Sequence, residues 1–338
     1  MAASRILLTG SAGFIGFHLA EVLLADGFRV HGFDGMTDYY DVTLKQRRHQ
    51  ILLQKPGFSA TEAMLEDDTT LQATADAFRP DIIVHLAAQA GVRYSLEAPR
   101  SYVESNVVGT FNVMEAARRH EVRHLLMAST SSIYGASEDM PFAETQKTDA
   151  PLTIYAATKK ANEAMGHAYA HLHDLPTTMF RFFTVYGPWG RPDLAFFKFT
   201  KAVLEGRPID VYNHGQMYRD FTYVGDLVRG IRLLIDAVPE RPADGVVPDG
   251  DSLSPIAPYR IVNIGNSDKV KLMDFIEAIE DATGVKAQRN YMDMQTGDVP
   301  ATWADATLLQ SLTGYRPQTD FRDGIARFVA WFRDYYGK

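Results

Sequence analysis

The chain has 338 residues, 46% of them hydrophobic and 22% charged, with a formal net charge of −8, a composition that suits a globular protein of one large or two smaller lobes. An acidic balance with no block of like charge argues against nucleic acid or an anionic membrane as partner. The absence of cysteine excludes disulfides, thiolate catalysis and cysteine-ligated zinc. No apolar run reaches the roughly 18 residues of a membrane span. The opening Met1-Ala2-Ala3-Ser4-Arg5 has no secretory pattern, so a cytoplasmic protein is expected. The ten histidines form no His-Glu-x-x-His pattern, and His167, His171 and His173 read as surface residues of one helix, so no metal site is expected.

The apolar run Arg5 to Thr9 predicts a buried strand. Gly10-Ser11-Ala12-Gly13-Phe14-Ile15-Gly16 follows, then a helical pattern to Asp26-Gly27 and a second strand from Arg29 to Asp34. Strand, glycine-rich turn, helix, strand is the setting of a dinucleotide fingerprint, although the spacing is G-x-x-G-x-x-G. Glycines let the backbone approach a pyrophosphate, and the helix start supplies free N–H groups and a positive dipole end. Asp34 closes the second strand. A carboxylate there accepts from both adenosine ribose hydroxyls and repels a 2′-phosphate, which favours NAD over NADP; no arginine follows within the next few residues.

Asp38 to Gln54 reads as a helical excursion, Phe58 to Leu65 as a weak strand, and Thr69 to Phe78 as a helix. Asp81 to Ala88 is a buried strand ending in small residues that let the chain pass close under a cofactor. Arg100 to His120 predicts one long helix containing Asn106 and Asn112. The strand His124 to Ser129 ends in the hydroxyl cluster Thr130-Ser131-Ser132, and Pro176 to Phe183 is the next strand. Such alternation predicts a Rossmann-type doubly wound parallel sheet with ligands at the carboxyl ends of the strands. Beyond Tyr186 the pattern loosens into a smaller C-terminal α/β lobe. It has a helix from Leu194 to Gly206, a strand from Arg219 to Val224 entering a helix from Asp226 to Ala237, and a proline-rich surface loop from Val238 to Pro258. A strand from Ile261 to Ile264 and helices from Leu272 to Thr283 and Phe321 to Tyr336 complete it.

Tyr155 and Lys159 stand four apart in a proline-free run from Thr153 to His173, which places both on one helical face. An ammonium beside a phenol, whose unperturbed pKa is roughly 10, favours the phenolate and lets it take a proton from a sugar hydroxyl near neutral pH.

Together Gly10-x-x-Gly13-x-x-Gly16, Asp34, Thr130, Tyr155-x-x-x-Lys159 and Arg219-Asp220-Phe221 resemble the extended short-chain dehydrogenase/reductases of the nucleotide-sugar branch. Ala87 to Ser95, Thr130 to Gly135 and Arg181 to Pro192 resemble the UDP-glucuronate 4-epimerases within it. The resemblance implies an NAD domain over residues 1–184 and a UDP-sugar lobe over 185–338, partly interwoven with the first, in a homodimer paired through the long helices. It implies NAD held by Gly10, Gly13, Phe14, Ile15, Gly16, Asp34, Leu65, Ala87, Ala88, Gln89, Asn106 and Ser129. Tyr155 would be general base and acid, Lys159 would hold the nicotinamide ribose and tune Tyr155, and Thr130 would bond the sugar 4-oxygen. Ser131, Ser132 and Thr184 would line the sugar and its carboxylate. Arg191 and Arg219 would face the diphosphate, with Gln89, Arg93 and Asp298 also at the substrate. Met64 stands where the family often has an acidic residue for adenine. Related decarboxylases commonly have Glu at the place of Ser132, and 4,6-dehydratases an Asp-Glu pair at Ser131-Ser132, so the resemblance favours epimerisation, with decarboxylation, epimerisation of a neutral UDP-hexose and a non-catalytic NAD-binding protein as the alternatives.

Overall fold

The computed structural model describes residues 3–295 and 298–338. Seven strands, β1 (Arg5–Thr9), β2 (Arg29–Asp34), β3 (Phe58–Glu62), β4 (Ile82–His85), β5 (His124–Thr130), β6 (Thr177–Phe182) and β7 (Tyr259–Ile264), form one parallel sheet in the order β7-β6-β5-β4-β1-β2-β3. The connecting helices include α1 (Phe14–Ala25), α2 (Val42–Leu53), α3 (Asp68–Phe78), α4 (Gly109–Arg119) and α5 (Ile154–His173). Successive strand residues serve opposite faces: Ile6 and Leu8 enter the core under α1, while Leu7 enters the one under α3, α4 and α5. Both faces are covered, which is why these strands read as unbroken apolar runs. β7 comes from the C-terminal half of the chain and pairs with β6 from Tyr259↔Thr177 to Ile264↔Phe182.

The helix expected from Arg100 to His120 is divided. Pro99–Tyr102 leads into a π-helical turn, Val103–Val108, before α4 resumes. The wide turn carries Asn106, whose amide accepts from Gln89 N–H at 2.8 Å and donates to Gln89 O at 3.0 Å and to Thr158 Oγ1 at 3.2 Å. A buried amide with three partners explains the departure from regular winding.

The strand expected from Arg219 to Val224 is also broken, into Tyr218–Arg219 and Phe221–Tyr223. Between them Asp220 turns inward and accepts the N–H groups of Asn266, Ser267 and Ala304 at 2.8, 2.9 and 3.2 Å and the Thr222 hydroxyl at 3.1 Å. One carboxylate thereby gathers three segments of the small lobe.

The 238–258 segment is irregular, as expected, and it leads into the amino end of β7. His167 bonds Ser254 Oγ at 2.9 Å, His171 bonds Ile256 O at 3.0 Å, and Arg260 pairs with Asp251 at 2.9 Å. The second half of this loop is thus tied down at the end of the sheet remote from the strand carboxyl ends. His173 packs edge-on against Tyr169, with ring centroids 5.3 Å apart.

Two histidines lie inside the sheet layers. His85 bonds Thr9 and Thr110, and His124 bonds Thr178 and the Ile235 carbonyl. Burial lowers their pKa values to about 3 and about 4. Both stay neutral in the fold while an unfolded chain protonates them near pH 6.5, so stability falls as pH drops from there towards 4. Each proton contributes about 1.4 kcal/mol per pH unit, opposed by the buried carboxyls of Glu144 and Asp220, which burial raises to about 7 and about 6, so His124→Asn is expected to lessen the fall of the urea midpoint towards low pH relative to wild type. An unchanged pH profile in the variant would mean that the His124 imidazole is not held neutral.

Candidate active site

β1 runs into the turn at Gly10, and α1 starts at Phe14 with Gly13 at its cap and no side chain capping it. The first N–H groups of α1 are left to an anion, with the helix dipole behind them. Gly10 has φ +74°, and a Cβ on Gly16 would strike the Gly10 carbonyl, so strand and helix close to a distance that side chains forbid. Asp34 accepts N–H bonds from Ala12 and Met36, both at 2.9 Å, which fixes a carboxylate beside the turn with lone pairs to spare. Met64 lies with its sulfur against Gly35, the residue after Asp34. Ala87 sits against Gly10 and donates to Thr9 Oγ1 at 3.1 Å, and Ala88 follows it. These groups fit a dinucleotide: free helix N–H groups, backbone without side chains, and a ribose-type acceptor. Two expected cofactor residues point elsewhere. Asn106 is spent on the Gln89 backbone, and the Ser129 hydroxyl donates to Glu163 at 2.7 Å inside the core. Leu65 is buried, packs on Gly109, and accepts from Asn112 at 3.0 Å.

At the end of β5 the Thr130 hydroxyl accepts Ser132 N–H and donates to Ser132 Oγ, both at 3.2 Å, as Ser131–Tyr134 turns away in a 3₁₀ helix. Opposite, α5 begins under Thr153, which accepts Ala156 N–H at 3.2 Å. Tyr155 lies in its first turn and Lys159 one turn later. The Thr130 hydroxyl stands near enough to the Tyr155 phenol to act on its titration. Burial raises the Tyr155 pKa above its ordinary value, and the Thr130 hydrogen bond and the Arg191 charge offset part of that. The expected tuning by Lys159 is not what the geometry gives. The two side chains share a face, but Lys159 donates to Ala128 O at 2.9 Å, and burial lowers its own pKa to about 8. Arg191 supplies the cation that the phenol feels.

Arg191 is held by Asp193, Nε to Oδ1 at 3.0 Å and Nη2 to Oδ2 at 2.6 Å, beneath the Tyr39 ring. Thr184 opens the strand after β6 and donates its N–H to Asp220 O at 3.1 Å. On the far side of the cleft Arg93 pairs with Asp298 at 3.0 Å and lies over Tyr212, while Arg219 donates to the carbonyls of Tyr218 and Val299, both at 2.8 Å. Asp298 links the two arginines, pairing with Arg93 and lending its charge to Arg219.

Sequence reasoning missed the support of this site. Glu163, two turns after Tyr155, makes a bidentate pair with Arg181 of β6 at 2.9 Å through each oxygen, both side chains buried. Arg181 also donates to Tyr134 Oη at 2.9 Å and Glu144 O at 3.1 Å. A carboxylate on the same helical face as Tyr155 and Lys159 was the available signal. Arg48 of α2, fully buried, donates to Ala12 O at 3.0 Å and Trp189 O at 2.5 Å, tying the glycine-rich turn to the loop that carries Arg191.

A doubly wound sheet with this turn at β1, a carboxylate ending β2 and a Thr-Tyr-Lys group at β5 and α5 defines a dinucleotide-dependent short-chain dehydrogenase/reductase. The family model described as GDP-mannose 4,6 dehydratase matches residues 7–328. A probable UDP-glucuronate 4-epimerase of Rhizobium meliloti (strain 1021) is 54% identical, with 98% of each chain covered. UDP-glucuronate 4-epimerase 1 of Arabidopsis thaliana is 42% identical over 98% of this chain and 77% of that one. The crystal structure of UDP-glucuronic acid 4-epimerase from Bacillus cereus, in complex with UDP-glucuronic acid and NAD, superposes with a TM-score of 0.87 at 30% identity, covering 98% of this chain and 100% of that one. The chain belongs to this family, among its UDP-glucuronate 4-epimerases.

Proposed function

We propose that the chain interconverts UDP-glucuronate and UDP-galacturonate by NAD-dependent epimerisation at C4. The observation that carries this is the Tyr155 phenol beside the Thr130 hydroxyl at the end of β5, flanked by the neutral Ser131 and Ser132. Residues 1–184 hold NAD, and 185–338 mainly hold the nucleotide sugar. The backbone at Gly10, Gly13, Phe14, Ile15 and Gly16 takes the pyrophosphate, Asp34 the adenosine ribose and Lys159 the nicotinamide ribose. Bound NAD supplies a reversible hydride acceptor for C4. Tyr155 takes the proton of the 4-hydroxyl and later returns it, with Thr130 hydrogen-bonded to the same oxygen. Between these steps the 4-keto sugar turns over about its link to the diphosphate. Arg191 and Arg219 keep hold of the diphosphate meanwhile, a task suited to a group that stays charged and multidentate.

A 4-keto uronate is a β-keto acid. It loses CO2 fastest when the C5–carboxylate bond stands perpendicular to the carbonyl plane. Hydroxyls of Ser131, Ser132 and Thr184 hold the carboxylate as an anion without supplying a proton to C5, and no acid stands at 131–132 to drive elimination of water. Incubation with UDP-glucuronate and NAD, followed by NMR, is expected to yield UDP-galacturonate; a UDP-pentose as main product would overturn the assignment.

The homodimer is proposed through the segments 94–119 and 152–173. Leu96, Val103, Val108, Phe111 and Leu172 are exposed there, and Phe111 meets Tyr169 of α5 edge-on at 6.4 Å. Several exposed large apolar side chains on two packed helices favour an interface there. Phe111→Glu is expected to give a monomer by light scattering. A dimer that survives it would place the contact elsewhere.

A further inference from the structure

We propose that Tyr39 and Asp193 form a clasp roofing the dinucleotide crevice, so that the contacts between them set how fast the cofactor enters and leaves. This rests on the reading that NAD lies in that crevice. The strand order puts β4 directly beside β1, and the connection from β1 goes one way while that from β4 goes the other. The crevice opens between them. The loop of residues 35–41 leaves β2 on one side of it, and Gly91 follows β4 on the other. Tyr39 crosses this gap. Its hydroxyl occupies the space a Cβ on Gly91 would take, at a residue with φ +105°. The same hydroxyl donates to Asp193 Oδ2 at 3.1 Å, in a third loop, beyond the strand Thr184–Tyr186. Asp193 holds Arg191 at 2.6 Å, Arg191 lies 5.8 Å from the Tyr39 ring centroid, and Tyr94 packs on that ring at 4.8 Å.

The base of the roof is anchored separately. Lys45 Nζ donates to Thr37 O at 2.6 Å and Thr37 Oγ1 at 2.8 Å, and Arg48 Nη1 donates to the Tyr40 hydroxyl at 3.0 Å. The backbone on either side of Tyr39, at Thr37 and Tyr40, is therefore held, and the contacts of the Tyr39 side chain are the part that opens. Those contacts join protein to protein. Weakening them lowers the barrier to passage in both directions and leaves the bound state nearly as it was.

The test uses NADH as a fluorescent probe on the full chain stripped of nucleotide, with association followed by stopped flow and release by displacement with excess NAD. Tyr39→Phe removes one hydroxyl and keeps the ring. Both rates are expected to rise by about tenfold, the size of one hydrogen bond to a charged acceptor, with Kd changed by less than about threefold. Asp193→Asn is expected to do the same from the other side, and it keeps the test open should either variant fold poorly. Unchanged rates in both variants overturn the proposal. So does faster release with Kd weakened in proportion, which would make Tyr39 an ordinary contact. Failure of the wild type to bind NADH would instead overturn the functional reading beneath it.

Discussion

Tyr155→Phe is expected to lower turnover of UDP-glucuronate by about a thousandfold, the range of a positioned acid–base group, while NADH binding stays within a few-fold. The phenylalanine keeps the ring packing against Tyr102, whose centroid is 6.0 Å away, and removes the oxygen that exchanges a proton with the sugar. Because burial raises the pKa of this phenol, the base form gains population as pH rises. The wild-type rate is therefore expected to climb with pH across the neutral range, and the variant's residual rate to be flat. Retention of a tenth or more of the activity, with the climb intact, would move the proton transfer to Thr130 or to water.

Glu163→Ala is expected to cost about 3–5 kcal/mol of stability, because it leaves the Arg181 guanidinium buried without its counter-charge. For a protein of this size that is a fall in Tm of roughly 4–7 °C. The Ser129 hydroxyl loses its acceptor in the same change. Glu163→Gln keeps one acceptor oxygen and the shape, so its loss should be clearly smaller. A Tm within 2 °C of wild type for the alanine variant would show that water or a neighbour compensates Arg181. Since Glu163 joins α5 to β5 and β6, the alanine variant should also lose turnover out of proportion to any loss of NADH binding.

Most of the sheet was legible because strands buried on both faces leave unbroken apolar runs, as in Ile82–His85 and His124–Thr130. Asp34 and the glycine-rich turn were legible because local chain geometry alone demands them. Two departures share a cause. The π turn around Asn106 and the break at Asp220 each exist to satisfy one buried polar side chain whose partners lie far along the chain, Thr158 in one case and Ala304 in the other. Spacing along a segment carries no record of such partners. The direction of Lys159 was missed for a related reason: shared helical face fixes where a side chain starts, not how far it reaches. Tyr39 lay in a stretch read only as a helical excursion, and its role depends on Gly91 and Asp193, which no local pattern connects to it.

The position of β7 bears on how the molecule is made. It begins 77 residues after β6 ends (182 to 259), so on the ribosome the sheet waits with the hydrogen-bonding row of β6 bare until much of the second lobe has emerged. A fragment stopped at residue 184 would keep that row open for good and is expected to aggregate through it.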